Sequence, residues 1–323
     1  MPLNPLSRLL DSYPAFAQPI GPIEELGSAG GLSGSHFYRL HAPVGPLVVH
    51  AWPRAPDGPT PPRLRDIHRW VKELTPLPYI PRAIPDRKGQ DFQELDDRLW
   101  DLMTWCAGRP QEEPSPAQLV TAFAALAAIH VRWRNESVSG RSPGLSERLR
   151  ELDALLHGGF DRLEHAALQA SNPQALAHLD CARRCAAGVR DLVAEAAKLD
   201  SLRLHPCLRD TRADHFLFSG DTLTGLIDFG AMGIETPAGD LARLLSDWSL
   251  PPERRTDALR AYADVAGLVP DDWLIRAFES SGALIGGCRW IHWRFVEGRT
   301  FSPGAYEDRL RRCTTALSVS IRP

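Results

Sequence analysis

Residues able to do chemistry concentrate in the stretch 204–240, LHPCLRDTRADHFLFSGDTLTGLIDFGAMGIETPAGD. Asp210 closes Leu208-Arg209-Asp210 and is followed, after a short loop, by the apolar run Phe216-Leu217-Phe218. Asp228 closes Leu226-Ile227, precedes Phe229-Gly230 and lies eighteen positions after Asp210. That interval accommodates a loop, a strand, a turn at Ser219-Gly220-Asp221 and a second strand, a hairpin that brings both carboxylates to one end. Two carboxylates at one mouth suit a Mg²⁺-nucleotide and a hydroxyl nucleophile, because one holds metal while the other orients the hydroxyl. His205, Asp210, Asp214 and His215 also have the look of a ligand set for metal-dependent hydrolysis. That chemistry leaves the Asp228-Phe229-Gly230 segment without a role.

The ordered set resembles the core of the aminoglycoside phosphotransferase/choline kinase family, small-molecule relatives of protein kinases. Asp210 matches the family's loop Asp, Asp228 the Asp of its Asp-Phe-Gly, and Asp240-Leu241-Ala242 the Asp-Leu-Ala that opens the next helix. The family's Asn, five residues after the loop Asp, is replaced by His215. The resemblance implies an α+β, protein-kinase-like fold, with a small mixed β-rich lobe and a large mainly helical one. It further implies an ATP-dependent phosphotransferase with a small-molecule hydroxyl as acceptor.

Residue by residue, the resemblance makes Asp210 the catalytic group that takes the acceptor's proton and Asp228 a Mg²⁺ ligand. His215 would face a second metal, where an imidazole favours ions softer than Mg²⁺, such as Mn²⁺. Other roles for His215 are a hydrogen bond to Asp210 or phosphate, or filling the slot. Asp240 would support the catalytic loop by accepting backbone hydrogen bonds, and it also fits a helix N-cap. Gly30, Gly31, Ser33 and Gly34, in the turn Gly27–Gly34, would cover the phosphates. Thr104 and Cys106, in the interlobe segment Leu102–Gly108, would offer backbone groups to adenine. The family's basic residue on the third strand falls on His50, with no clear acidic partner on the following helix. A neutral imidazole clamps phosphate less firmly than an ammonium, so either another residue supplies the charge, Arg39 and Arg54 being nearest, or nucleotide binding is weakened. The two histidine replacements also motivate a silent, kinase-like binding protein as the alternative.

The elements that must position these groups follow from pattern. Alternation between Ile23 and Pro53 predicts strands through Phe37–Leu40 and Leu47–Trp52, and Pro61-Pro62 starts a helix over Arg63–Leu74. Two further strands are expected, around Tyr79–Ile84 and Phe92–Leu95, ahead of Leu99–Trp105. Helical spacing then predicts Pro116–Trp133, with Ser115 as cap, and Leu145–Leu156, Pro173–Leu199, Asp240–Trp248, Pro252–Ala266, Asp271–Arg294 and Ala305–Leu317. The expected divisions are a leader helix and linker over 1–18, a small lobe over 19–104, and a helical lobe over 105–323 that carries the catalytic hairpin.

With 323 residues and 43% hydrophobic content the chain can bury a substantial core. A net charge of −3 gives no basic footprint for nucleic acid. Neither a membrane-spanning apolar run nor an export signal is read at the sequence level, so a cytoplasmic protein is expected. The six cysteines are scattered and are expected to be reduced thiols.

Overall fold

A computed structural model describes residues 5–28 and 34–320; Gly30, Gly31 and Ser33 lie outside the described residues. The chain forms two compact units: residues 1–122 with 214–232, and residues 123–213 with 233–323.

The first unit opens with α1 (Pro5–Leu10) and a five-stranded antiparallel sheet. Its strands are β1 (Glu24–Gly27), β2 (His36–Ala42), β3 (Gly45–Pro53), β4 (Phe92–Leu95) and β5 (Arg98–Thr104), in the order β1-β2-β3-β5-β4. Period-two alternation gives the sheet two different faces. Leu47, Val49 and Ala51 of β3, with Trp100 and Leu102 of β5, pack with Leu6, Leu9, Leu10 and Tyr13 in one buried cluster. Their neighbours His50 and Trp52, opposite Asp101 and Leu99, point the other way. Helix α2 (Pro61–Glu73) starts where Thr60 accepts the N–H of Arg63, behind prolines already set for a helical first turn. Leu64, Ile67, His68, Trp70 and Val71 are its buried residues.

The strand expected at 79–84 does not form. Pro81 and Pro85 cannot donate to a ladder, and only an isolated bridge, Ala83 to Met103, remains. The hairpin of β8 (Phe216–Ser219) and β9 (Thr222–Leu226) groups with this first unit rather than with the helical part of the sequence. Leu226 donates to the Tyr79 carbonyl, Thr224 Oγ1 to that of Ala107, and Arg109 and Phe218 exchange backbone bonds.

Helix α3 (Pro116–Trp133) begins in the first unit, where Ser115 Oγ accepts the Gln118 N–H while Gln118 Oε1 accepts that of Ser115. In the second unit follow β6 (Val138–Gly140), α4 (Pro143–Ala154), α5 (Phe160–Gln169), α6 (Pro173–Lys198) and β7 (Leu202–Cys207). After the hairpin come β10 (Gly233–Glu235), α7 (Pro237–Asp247), α8 (Pro252–Ala266), α9 (Asp272–Phe295) and α10 (Ala305–Ser320). The short strands pair in the order β10-β7-β6, and β7 leads directly into the loop that carries Asp210.

Candidate active site

The loop after β7 is held from beneath. Asp240, 1% exposed, accepts the N–H groups of Leu208 (2.8 Å) and Arg209 (2.6 Å) and a bond from His130 Nε2 (3.0 Å). Burial alone would raise its pKa, but the bonds from His130 and the two N–H groups outweigh that and hold it below the usual carboxylate range. His130, on α3, is fixed in turn by Tyr262 at 2.8 Å. Asp240 is not an N-cap: Thr236 occupies that place, and α7 begins three residues earlier than its sequence pattern suggests. The support lets Arg209 adopt φ +65°, a left-handed conformation costing a non-glycine residue about 1–2 kcal/mol. Beyond it, Asp210 accepts a bond from Arg243 Nε at 3.1 Å. The loop's far end is pinned where Ala213 N–H donates to Asp247. Asp247 also faces Arg309 (3.1 Å) and Arg243 (3.8 Å), and its pKa lies below the carboxylate range because these contacts overcome its burial.

In the first unit, the hairpin register pairs Phe216 with Leu226, so His215 and Asp228 emerge at the same open end. His215 Nε2 lies 3.5 Å from Asp228 Oδ2 and 3.7 Å from Asp214 Oδ1. His215 is buried while the Asp228 side chain is about half exposed (55%), so a carboxylate at a mouth stands over an imidazole wall. Asp228 has φ +66°. Gly230, whose N–H reaches Asp228 Oδ1 at 3.4 Å, tolerates the approach of Trp52: a β-carbon there would meet the indole at 3.0 Å. One exposed carboxylate oxygen, one imidazole nitrogen and a second carboxylate beside them form a donor set that fits a divalent cation.

The remaining sequence candidates are placed differently. His50 is stacked between Phe37 (4.2 Å) and Trp52 (3.6 Å), and burial pushes its pKa down to about 4, so it carries no charge near neutrality. Arg39 lies over the Trp105 ring at 4.6 Å, and Arg54 pairs with Glu94 at 3.2 Å. Thr104 is committed to Arg82: its N–H donates to that carbonyl and its Oγ1 accepts that N–H, both at 2.9 Å. Its donor is therefore closed to an adenine. Cys106, next along, is half-buried, its thiol raised to about 11 by burial. Gly34 is exposed, has φ +71° and accepts Arg98 at 3.2 Å. His205 is buried, donates from Nδ1 to the Pro206 carbonyl at 2.7 Å and has its pKa lowered to about 4 by burial. Among the described residues it joins no cluster of metal-ligating groups with Asp210, Asp214 or His215.

Sequence reasoning missed His130, Arg243, His68 and Asp101. The signal for Asp101 was a lone acid inside the apolar alternation of β5, since a charge buried in a strand needs a partner.

A model of the "Phosphotransferase enzyme family" matches residues 27–278. The chain belongs to this family. It is 27% identical over 270 residues to homoserine kinase from Pseudomonas aeruginosa, spanning 81% of this chain and 78% of that one. Among solved structures, an aminoglycoside phosphotransferase from Alicyclobacillus acidocaldarius superposes with TM-score 0.61 at 15% identity, over 99% of this chain and 96% of that one. A choline kinase from Streptococcus pneumoniae gives 0.58 at 13%, over 93% and 94%. Spectinomycin phosphotransferase, solved with ADP and spectinomycin, gives 0.61 at 10%, over 100% and 96%. These likenesses establish the protein-kinase-like α+β fold. With the family, they make the protein a small-molecule phosphotransferase with an alcohol group as acceptor.

Proposed function

We propose that the protein transfers the γ-phosphoryl group of ATP to a hydroxyl of a small molecule, with Asp210 as base and Asp228 and His215 as holders of a divalent cation. The observation that carries this reading is the dedicated support of Asp210. A buried carboxylate pins the two N–H groups that precede it, and Arg243 fixes its own carboxylate. Phosphoryl transfer depends mainly on positioning and charge neutralisation, so a rigidly held carboxylate is what the acceptor requires. The acceptor oxygen forms a bond to the γ-phosphorus, the bond from that phosphorus to the bridging oxygen breaks, and the hydroxyl proton passes to Asp210. A bound Mg²⁺ or Mn²⁺ would neutralise phosphate charge. Because His50 is neutral, that neutralisation rests on the ion more than on a basic residue of β3.

The acceptor is read as a small alcohol that carries a carboxylate. The homoserine kinase relatives support this, as do the guanidinium groups of Arg243 and Arg309 close to Asp210 and Asp247.

The test is Asp210→Asn assayed with homoserine, choline and an aminoglycoside. The nucleotide's stabilising effect on Tm should survive, while kcat falls by about 10²–10⁴, the scale of a positioned general base. Wild-type turnover by the variant would remove Asp210 from the mechanism. ATP consumption stimulated by choline or the aminoglycoside, but not by homoserine, would overturn the acceptor reading.

A further inference from the structure

The strand residue that supplies a fixed cation in kinase-like enzymes is here an uncharged, ring-stacked histidine, His50. Buried charge is nevertheless present on the same face of the sheet, with its polarity inverted. The cation comes from the helix: His68 of α2, 5% exposed, donates from Nε2 to Asp101 Oδ2 at 3.1 Å. The anion comes from the sheet: Asp101 of β5, 1% exposed, stands directly across the ladder from His50. The same Asp101 oxygen accepts the indole N–H of Trp52 at 2.8 Å. The Trp52 ring lies against Gly230, whose missing side chain makes room for it, and the Gly230 N–H reaches Asp228. A continuous series of contacts therefore runs from α2 through Asp101 and Trp52 to the loop that presents Asp228.

We propose that Asp101 and His68 are positioning residues for the divalent-cation site: their buried pair holds Trp52 as the floor of the Asp228–Gly230 loop and so sets affinity for the metal-nucleotide. This rests on the reading of Asp228 as a cation ligand. A purely structural role explains the pair less well, because buried ion pairs contribute little net stability compared with apolar packing of the same volume. The spare capacity points the same way. Asp101 Oδ1 and His50 Nε2 are buried without a hydrogen-bond partner among the described residues, a cost that a core built only for stability avoids.

The ionisation agrees with the geometry. Burial would lower the His68 pKa, but the hydrogen bond and charge of Asp101, with Asp91 adding to them, raise it. Asp101 is held below the usual range because His68, His50 and the Trp52 bond outweigh its burial. The pair is therefore charged on both sides at pH 6, and it weakens as pH rises through the elevated His68 pKa. The groups acting on His68 are Asp101 and Asp91; the neighbouring His50 is neutral there.

The experiment is calorimetric binding of ATP at graded Mg²⁺, from pH 6 to 9, for wild type, Asp101→Asn, His68→Gln and Trp52→Phe. Tm is recorded for each, and Leu47→Ala, on the opposite face, serves as a destabilised control. The Mg²⁺ concentration for half-maximal binding should rise by about tenfold or more in Asp101→Asn and His68→Gln, the usual effect of losing a group behind a metal ligand. Trp52→Phe should show part of that rise. Combining it with Asp101→Asn should add nothing, because both act through one contact. Wild type should lose affinity toward pH 9 while His68→Gln stays flat. A lowered Tm with unchanged Mg²⁺ dependence, or an equal shift in Leu47→Ala, overturns the proposal. Wild-type ATP binding that ignores Mg²⁺ overturns instead the cation role of Asp228, and with it this inference.

Discussion

His215 is the residue at which this chain's chemistry departs most from the pattern it resembles. It lies within 3.5 Å of Asp228, so its imidazole is in place to share an ion with that carboxylate. Imidazole nitrogen competes well for Mn²⁺ and poorly for Mg²⁺, which prefers oxygen and holds its waters. His215→Asn replaces the nitrogen donor by an amide oxygen. It should raise the ratio of Mg²⁺-supported to Mn²⁺-supported activity by about tenfold, the scale of a changed metal environment. Asp228→Ala should remove the divalent-ion dependence of ATP binding altogether. Both are read from ATP titrations in the two metals. Equal metal preference in wild type and His215→Asn would leave the imidazole as wall packing.

Between elements, α6 and α9 of the second unit approach closely. His178 of α6 is fully buried, and a β-carbon on Gly287 of α9 would fall 2.0 Å from its Nε2. Gly287 has an ordinary helical backbone, so alanine would favour the isolated helix by about 1 kcal/mol. The clash decides against it. His178 is held by Thr314 of α10 at 2.9 Å and cannot swing away freely, so overpacking at the usual cost of about 1–3 kcal/mol outweighs the propensity gain. Gly287→Ala should therefore lower stability by a net 1 kcal/mol or so, measured by urea unfolding. A stabilised variant would show that the helices separate at little cost.

The protein as a whole should be acid-sensitive through its buried neutral histidines. His50 in the first unit, and His178 and His205 in the second, each have their pKa lowered by burial to about 4. Unfolding restores an ordinary value near 6.5. As pH falls from about 6.5 toward 4, the unfolded chain takes up protons that the folded one refuses, so stability drops as pH falls. Three such groups give a limiting slope of about 4 kcal/mol per pH unit, against a total stability of about 5–15 kcal/mol. The lowered carboxylates Asp101, Asp240 and Asp247 contribute only below that window, near their unfolded pKa and lower. His68 acts in the opposite sense and only above it, its contribution complete below about 6.5 and lost as pH rises through its raised pKa. Denaturant midpoints should decline steeply between pH 6.5 and 5. His178→Gln, which replaces one titrating ring by a neutral amide, should flatten the decline. A flat profile in wild type would mean that these rings are hydrated in the native state.

Local signals were enough to read Asp210, Asp228, the hairpin between them and most helices. Caps, proline starts and period-two or helical spacing act over a few residues, and a short motif with ordered spacing is local information. Local reading ended a helix at Leu156, next to the break at His157-Gly158, but missed α5 beyond it, and mistook the proline-flanked 79–84 for a strand. What only tertiary structure decided is pairing across distance. Asp101 meets His68 thirty-three positions away, His130 meets Asp240 at one hundred and ten, and Trp52 rests on Gly230. Each depends on how a sheet face and a helix stripe are brought together, and no spacing rule within either segment contains that. The order of the acidic residues around the hairpin could be read from the chain. Which charges are buried, and against what, could not, because a side chain's ionisation is set by neighbours that folding alone supplies.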